Sequence, residues 1–201
     1  MSANVEKVEK VEKNMKNRLI ETLTMQIAVP DPDCGIVTDN MVAQWCGVPF
    51  AELSVLLVRL RFLATVHQTH HWTAKGDPFY GDHLLYQRLY DAVVVDIDAL
   101  AEKAVGLGSS DNVNLPLQAA QLAQLCNDYG TTMTLPVASG LAQRSLVAEV
   151  GFLRCAAHCA DSLNENGQLT RGLDNFLQGL EDKHEGHVYL LKQRCGSGEI
   201  Y

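Results

Sequence analysis

From Phe50 to Lys75 the chain reads FAELSVLLVRLRFLATVHQTHHWTAK, with no glycine or proline. A run of that length is far too long for an ordinary strand and fits a helix that crosses a whole domain. It stops at Gly76-Asp77-Pro78, with Gly81 close behind. A second long segment runs from about Asp82 to Leu107 and ends at Gly108-Ser109-Ser110. A shorter helix is predicted over 116–128. Residues 142–165 and 170–195 supply two more long periodic segments, parted by Asn164-Glu165-Asn166-Gly167, with Thr170 as cap of the last. Strand patterns are scarce. Four long helices and a short one in the connection between the second and third predict an all-α, antiparallel four-helix bundle.

The first 49 residues read as an extension, partly flexible or packing on neighbours, before a bundle domain over 50–195 and a short tail over 196–201. Residues 4–13 repeat Val-Glu-Lys three times, and a period of three drifts around a helix without making an apolar stripe. Lys7, Lys10, Lys13, Lys16 and Arg18 are opposed there by Glu6, Glu9 and Glu12. Residues 29–40, VPDPDCGIVTDN, are predicted to be loop. The 201 residues carry a net charge of −8, so cations rather than nucleic acid are the expected partners. No apolar run approaches the roughly 18 residues of a membrane span, and no membrane partner is expected. The N-terminus has no apolar core of a secretory signal. Six scattered cysteines are therefore expected as reduced thiols in a cytoplasmic setting.

Four of the seven histidines, His67, His70, His71 and His83, lie within one helix–turn–helix, and Asp96, Asp98 and Glu102 follow downstream. Imidazole and carboxylate together suit first-row transition metals, iron among them. With His83 at 0°, Gln87 falls near 40°, Asp98 near 60° and Glu102 near 100° on one helical face. Yet fifteen residues separate His83 from Asp98, about 22 Å along the axis. Two copies of the helix, crossing antiparallel at a two-fold axis, would bring His83 of one to Asp98 and Glu102 of the other. The midpoint of this spacing falls near Ala92 and Val93, within an apolar patch suited to such a crossing. An isologous dimer makes two such sites.

The block His71-Trp72-Thr73-Ala74-Lys75-Gly76-Asp77-Pro78-Phe79, followed by His83, Asp98 and Glu102, resembles the Dps family of mini-ferritins. So does His184-Glu185-Gly186-His187-Val188-Tyr189-Leu190-Leu191 on the last helix. The resemblance covers roughly residues 50–195. It implies a ferritin-like subunit that assembles into a hollow shell of twelve. It also implies Fe(II) oxidation, often by hydrogen peroxide, between two-fold-related subunits, with storage of ferric mineral inside and protection against oxidative damage. The implied ligands are His71, His83, Asp98 and Glu102, the last a bridge between metals, with Trp72 an electron donor beside the site. Gln87 stands where the family usually has Asp. An amide cannot stabilise added positive charge as a carboxylate does, so one strong and one weak iron site are expected, with Asp82 and Asp91 nearby as compensating carboxylates. The alternatives are a shell whose ferroxidase chemistry is impaired, and a DNA-binding protective protein using the lysine arm.

Other groups carry weaker signals. Trp72 by itself reads as a core residue, and His67 and His70 as surface or pocket-lining residues. Glu181-x-x-His184 fits half of a di-iron motif, but no matching E-x-x-H follows Glu102, so a packed end helix is expected instead of a metal centre in the bundle core. Cys155, His158 and Cys159 share about one helical turn and are read mainly as packing, with a soft-metal or redox role as the alternative.

Overall fold

A computed structural model describes residues 34–132 and 140–196. Its helices are α1 (Cys34–Ala43), α2 (Ala51–Thr73), α3 (Phe79–Leu107), α4 (Leu115–Thr132), α5 (Leu141–Glu165) and α6 (Arg171–Cys195), with a 3₁₀ turn at Ser110–Val113. No strand occurs among the described residues. The Val-Glu-Lys arm, and with it the lysine-based DNA reading, lies outside them.

Helix α2 is the axis of the bundle, and its sequence says why. Leu53, Val55, Leu56, Leu57, Val58, Leu60 and Leu63 surround it, and all are completely buried. A helix apolar on every side must be covered on every side. Helices α3, α5, α4 and α1 all pack against it. Helix α5 instead buries one stripe, including Ser145, Glu149, Phe152, Ala156, Cys159 and Leu163, and lays it against α2 and α6.

Polar cross-links fix the helix directions. The end of α2 meets the start of α5 through His67 and Glu149, while the start of α2 meets the end of α5 through Glu52 and Ser162, so the two run antiparallel. Helices α3 and α6 are antiparallel as well, joined by Asp82–Arg194 at one end and Asp96–Lys183 further along. Short turns close the α2–α3 and α5–α6 hairpins. Gly76 at φ +85° and Gly167 at φ +68° supply the left-handed backbone there. The Thr170 hydroxyl accepts from Leu173 N at 3.2 Å, capping α6 as expected.

Two boundaries differ from the sequence reading. Helix α3 begins at Phe79, with Pro78 as its cap, and takes Gly81 into its first turn; proline's fixed φ suits a helix start. Residues 34–40, expected as loop, belong to α1. Its sequence is a poor helix former, and tertiary packing holds it. Met41 and the following Trp45 are buried in the bundle core, the Thr38 hydroxyl reaches Cys155 Sγ at 3.6 Å, and the Trp45 indole donates to Gln121 on α4 at 3.1 Å. Among the described residues before position 50, Met41 and Trp45 therefore belong to the same core.

The crossover from α3 to α4 is anchored by one buried side chain. Asn112 Nδ2 donates to the carbonyls of Pro49 (2.8 Å) and Phe50 (3.1 Å) and to Ser54 Oγ (3.0 Å), and its Oδ1 accepts from Ser109 N at 2.8 Å. Phe50, left-handed at φ 54°, is held there although its side chain disfavours that backbone. Asn112→Ala leaves the buried Ser54 hydroxyl, the Pro49 and Phe50 carbonyls and the Ser109 N–H without this partner, so we expect a loss of about 2 kcal/mol in urea unfolding, with helical content kept.

Candidate metal centres

Two histidine arrangements differ in burial and in what holds them. The outer pair joins the α2–α3 hairpin. The His71 and His83 rings stack with centroids 3.8 Å apart and planes 22° apart, and Phe79 stacks on His83 at 5.2 Å. His71 Nδ1 donates to the His83 carbonyl at 3.0 Å, and His83 Nδ1 donates to the His71 carbonyl at 3.0 Å. A carbonyl can only accept, so both Nδ1 atoms carry hydrogen. In the neutral rings both Nε2 atoms then hold free lone pairs, the form a metal ligand needs.

Gln87, Asp91, Asp98 and Glu102 are exposed on α3, in a single unbroken helix. The 22 Å gap between His83 and Asp98 therefore stands, and one chain does not bring these residues together. The same face exposes Leu84, Val94 (43%), Val95 (62%) and Val105. Val93, expected at the apolar midpoint, is buried in the bundle instead; Val94 and Val95 carry the exposed apolar surface. Helical phase explains the shift, since Val93 points about 140° away from the Asp98 direction. Trp72, read by itself as a core residue, is 68% exposed. Asp82 is tied to Arg194 and buried, so it does not replace the carboxylate missing at Gln87. Asp91 remains on the exposed face.

The inner cluster lies in the bundle core. Glu149 of α5 is completely buried. Its Oε1 accepts from His67 Nε2 at 2.8 Å and His187 Nδ1 at 3.1 Å, and its Oε2 accepts from His184 Nδ1 at 2.6 Å. His184 Nε2 faces Asp96 Oδ2 of α3 at 3.5 Å, and Lys183 holds Asp96 Oδ1 at 2.5 Å. On the other side, Ser145 Oγ bridges His67 Nδ1 (3.3 Å) and His70 Nδ1 (2.7 Å). All four long helices contribute. Ligand atoms of Glu149, His184 and His187 lie within 4.8 Å of one another, a grouping of metal-binding type.

Burial pulls each of these groups toward neutrality, and the pairing decides which yield. Burial alone would lower His184; the Glu149 charge and hydrogen bonds to Asp96 and Glu149 raise it to about 9. Burial would raise Glu149; the His184 charge and three imidazole N–H donors hold it well below the usual carboxylate range. His70, buried and near His67 and Arg144, falls to about 4 and stays neutral.

His67 and His70 are thus core residues, not surface ones, and His184 is part of a buried ionic cluster rather than a packed helix end. The carboxylate that completes it is Glu149, not Glu181 of the E-x-x-H pattern. The signal was present in α5: Ser145 and Glu149 occupy its buried stripe, where a carboxylate needs partners. Cys155 and Cys159 are completely buried, while His158 turns outward to Asp39 at 2.6 Å. The thiols and that imidazole are not gathered into one site.

No family model matches the chain. A low temperature-induced protein of Nostoc sp., itself uncharacterized, is 26% identical over 125 residues, or 61% of this chain and 66% of the relative. Its homolog in Anabaena variabilis matches to the same extent. The chain spans just under two thirds of the length of these curated relatives. Among solved structures, Dps from Thermosynechococcus elongatus aligns with a TM-score of 0.52 at 19% identity, covering 81% of this chain and 96% of that one. The fold is Dps-like: a ferritin-like four-helix bundle. No described helix is long and apolar enough to cross a membrane.

The inner cluster predicts a pH profile for the metal-free protein. His184 is raised above its ordinary 6.5, so its stabilisation is complete below pH 6.5 and is lost as pH rises through about 9. Glu149 is depressed, so its contribution is present above 4.5 and lost as pH falls. Urea unfolding in chelator should show the alkaline loss in the unaltered chain and not in Glu149→Gln. Glu149→Ala should cost about 3–5 kcal/mol near pH 6 by removing the buried charge that His67, His184 and His187 share.

Proposed function

We propose that this chain is a mini-ferritin that binds and oxidises Fe(II) between two-fold-related copies and stores ferric iron in a closed shell. The observation that carries this reading is the outer histidine pair. Reciprocal Nδ1–carbonyl hydrogen bonds hold both rings with Nε2 lone pairs available, beside an exposed α3 face bearing Gln87, Asp98 and Glu102. The Dps-like fold supports it, as does the acidic net charge of −8, which favours cation uptake.

In this reading, two copies of α3 cross antiparallel, with the apolar surface of Val94 and Val95 at the crossing. His71 and His83 of one copy then face Asp98 and Glu102 of the other. The imidazoles fix the position of ferrous substrate. The carboxylates favour the ferric state by charge, and Glu102 spans the two ions. Hydrogen peroxide accepts one electron from each of two ferrous ions, its O–O bond breaks, and two hydroxides form without a free radical. Trp72 stands exposed next to His71, where it can supply an electron when only one iron is present. A dodecameric shell, with the protein in the cytoplasm, completes the proposal.

Gln87 favours a second reading, in which the shell persists and two-iron chemistry has lapsed. Stopped-flow Fe(II) oxidation with peroxide separates the two. The first expects fast oxidation by the unaltered protein and a loss of at least about 100-fold in His83→Ala/Asp98→Ala, with assembly intact; removing partners of metal ligands alone costs about 10–100-fold. The second expects the buffer rate, restored by Gln87→Asp. Val95→Glu places charge at the crossing. It should abolish both oxidation and assembly in sedimentation, while the circular dichroism of the single chain is unchanged.

A further inference from the structure

The inner cluster uses none of the residues assigned to the outer site, and its chemistry points to a ligand of its own. We propose that Glu149, His184 and His187 bind one divalent first-row transition cation within a single chain, with Asp96 orienting His184.

Two imidazoles and one carboxylate form a donor set for zinc or ferrous iron, and it leaves a coordination position open. Magnesium and calcium need cages of oxygen and do not fit it. The spacing is close to that of a bound ion. Glu149 and its two partners on α6 stand 2.6 Å and 3.1 Å apart across hydrogen bonds, with all three ligand atoms within 4.8 Å. Ligand bonds of about 2.1 Å in a tetrahedron place neighbouring donors about 3.4 Å apart. The cation takes the place of the hydrogens between nitrogen and oxygen, and the side chains move by less than about 1 Å.

A second feature supports the assignment independently. His184 Nε2 and Asp96 Oδ2 are both inaccessible and face each other at 3.5 Å, a long contact for a buried pair. With a cation on His184 Nδ1, the ring's hydrogen must sit on Nε2, aimed at Asp96. Histidine ligands commonly pass their other N–H to a carboxylate in this way, and that carboxylate is commonly held in turn. Lys183 already holds Asp96 Oδ1. The long His184–Asp96 contact is the one that the cation-bound cluster would draw together. His67 Nε2, donating to Glu149 Oε1, holds the third ligand in the same manner.

The test uses His83→Ala/Asp98→Ala protein, stripped of metal and dialysed against Co(II), so that the outer site does not contribute. The expected result is one cobalt per chain with the intense visible bands of four- or five-coordination. His187→Leu in that background should lose the cobalt. Asp96→Asn should weaken binding about 10–100-fold while keeping the same spectrum, because it orients a ligand without being one. No cobalt above the dialysis control overturns the proposal, as does unchanged binding in His187→Leu. Should His187→Leu fail to fold, X-ray absorption of the zinc-loaded His83→Ala/Asp98→Ala protein decides. Two imidazoles per zinc support the inner site, and fewer overturn it. Ferroxidase loss in the same background reports on the outer site alone, so the two assignments fail separately.

Discussion

A carboxylate with no access to water sits at the centre of this bundle, and the arrangement of the long helices depends on satisfying it. Leaving Glu149 unpaired would cost several kcal/mol. Its partners come from α2 and α6, and the chain of contacts continues through His184 to Asp96 and Lys183. Leucine packing against leucine tolerates a slide of one helical turn far better than this cluster does. A slide would carry His67 or His184 away from the charge and leave both sides buried without compensation. The register of α2, α5 and α6 is therefore set by one anion, while the apolar surface around it supplies most of the driving force.

The two histidine arrangements show how one side chain type serves opposite ends. At the outer pair, each Nδ1 is spent on a backbone carbonyl, and the other ring nitrogen remains for a ligand. In the inner cluster, the Nδ1 atoms of His184 and His187 aim at a carboxylate of the same chain. In the proposed outer site a second copy supplies the acid groups, because His83 and Asp98 stand fifteen residues apart on one unbroken helix. The inner arrangement is complete within one chain, because four helices converge on it.

Much of the fold was legible in the sequence. The four long helices fall where proline is absent, and Gly76, Gly108, Gly167 and Thr170 mark their boundaries. The gathering of His67, His70, His71 and His83 in one helix–turn–helix was legible, while the stacking of His71 on His83 was not. Less legible was α1, whose residues have weak helical preference and gain their conformation by packing Met41 and Thr38 onto the bundle. Trp72 was misread for a related reason. It stands at the end of α2 beside the exposed Thr73, where the bundle no longer covers the helix. The inner cluster was hardest to see, since it draws on positions 67, 96, 149, 184 and 187, and no local spacing links α5 to α6 or to α2.

The sequence by itself determined which segments are helices, which face of α3 bears His83, Gln87, Asp98 and Glu102, and that one copy of α3 cannot close a site from them. These follow from a fixed rise and a fixed angle per residue, which are local properties of the backbone. Only the tertiary structure decided which titratable groups are deprived of water and which partner each then takes. Burial is a property of the packed whole: Glu149 and Glu102 are the same residue type on similar helices, yet one is enclosed by three imidazoles and the other faces solvent.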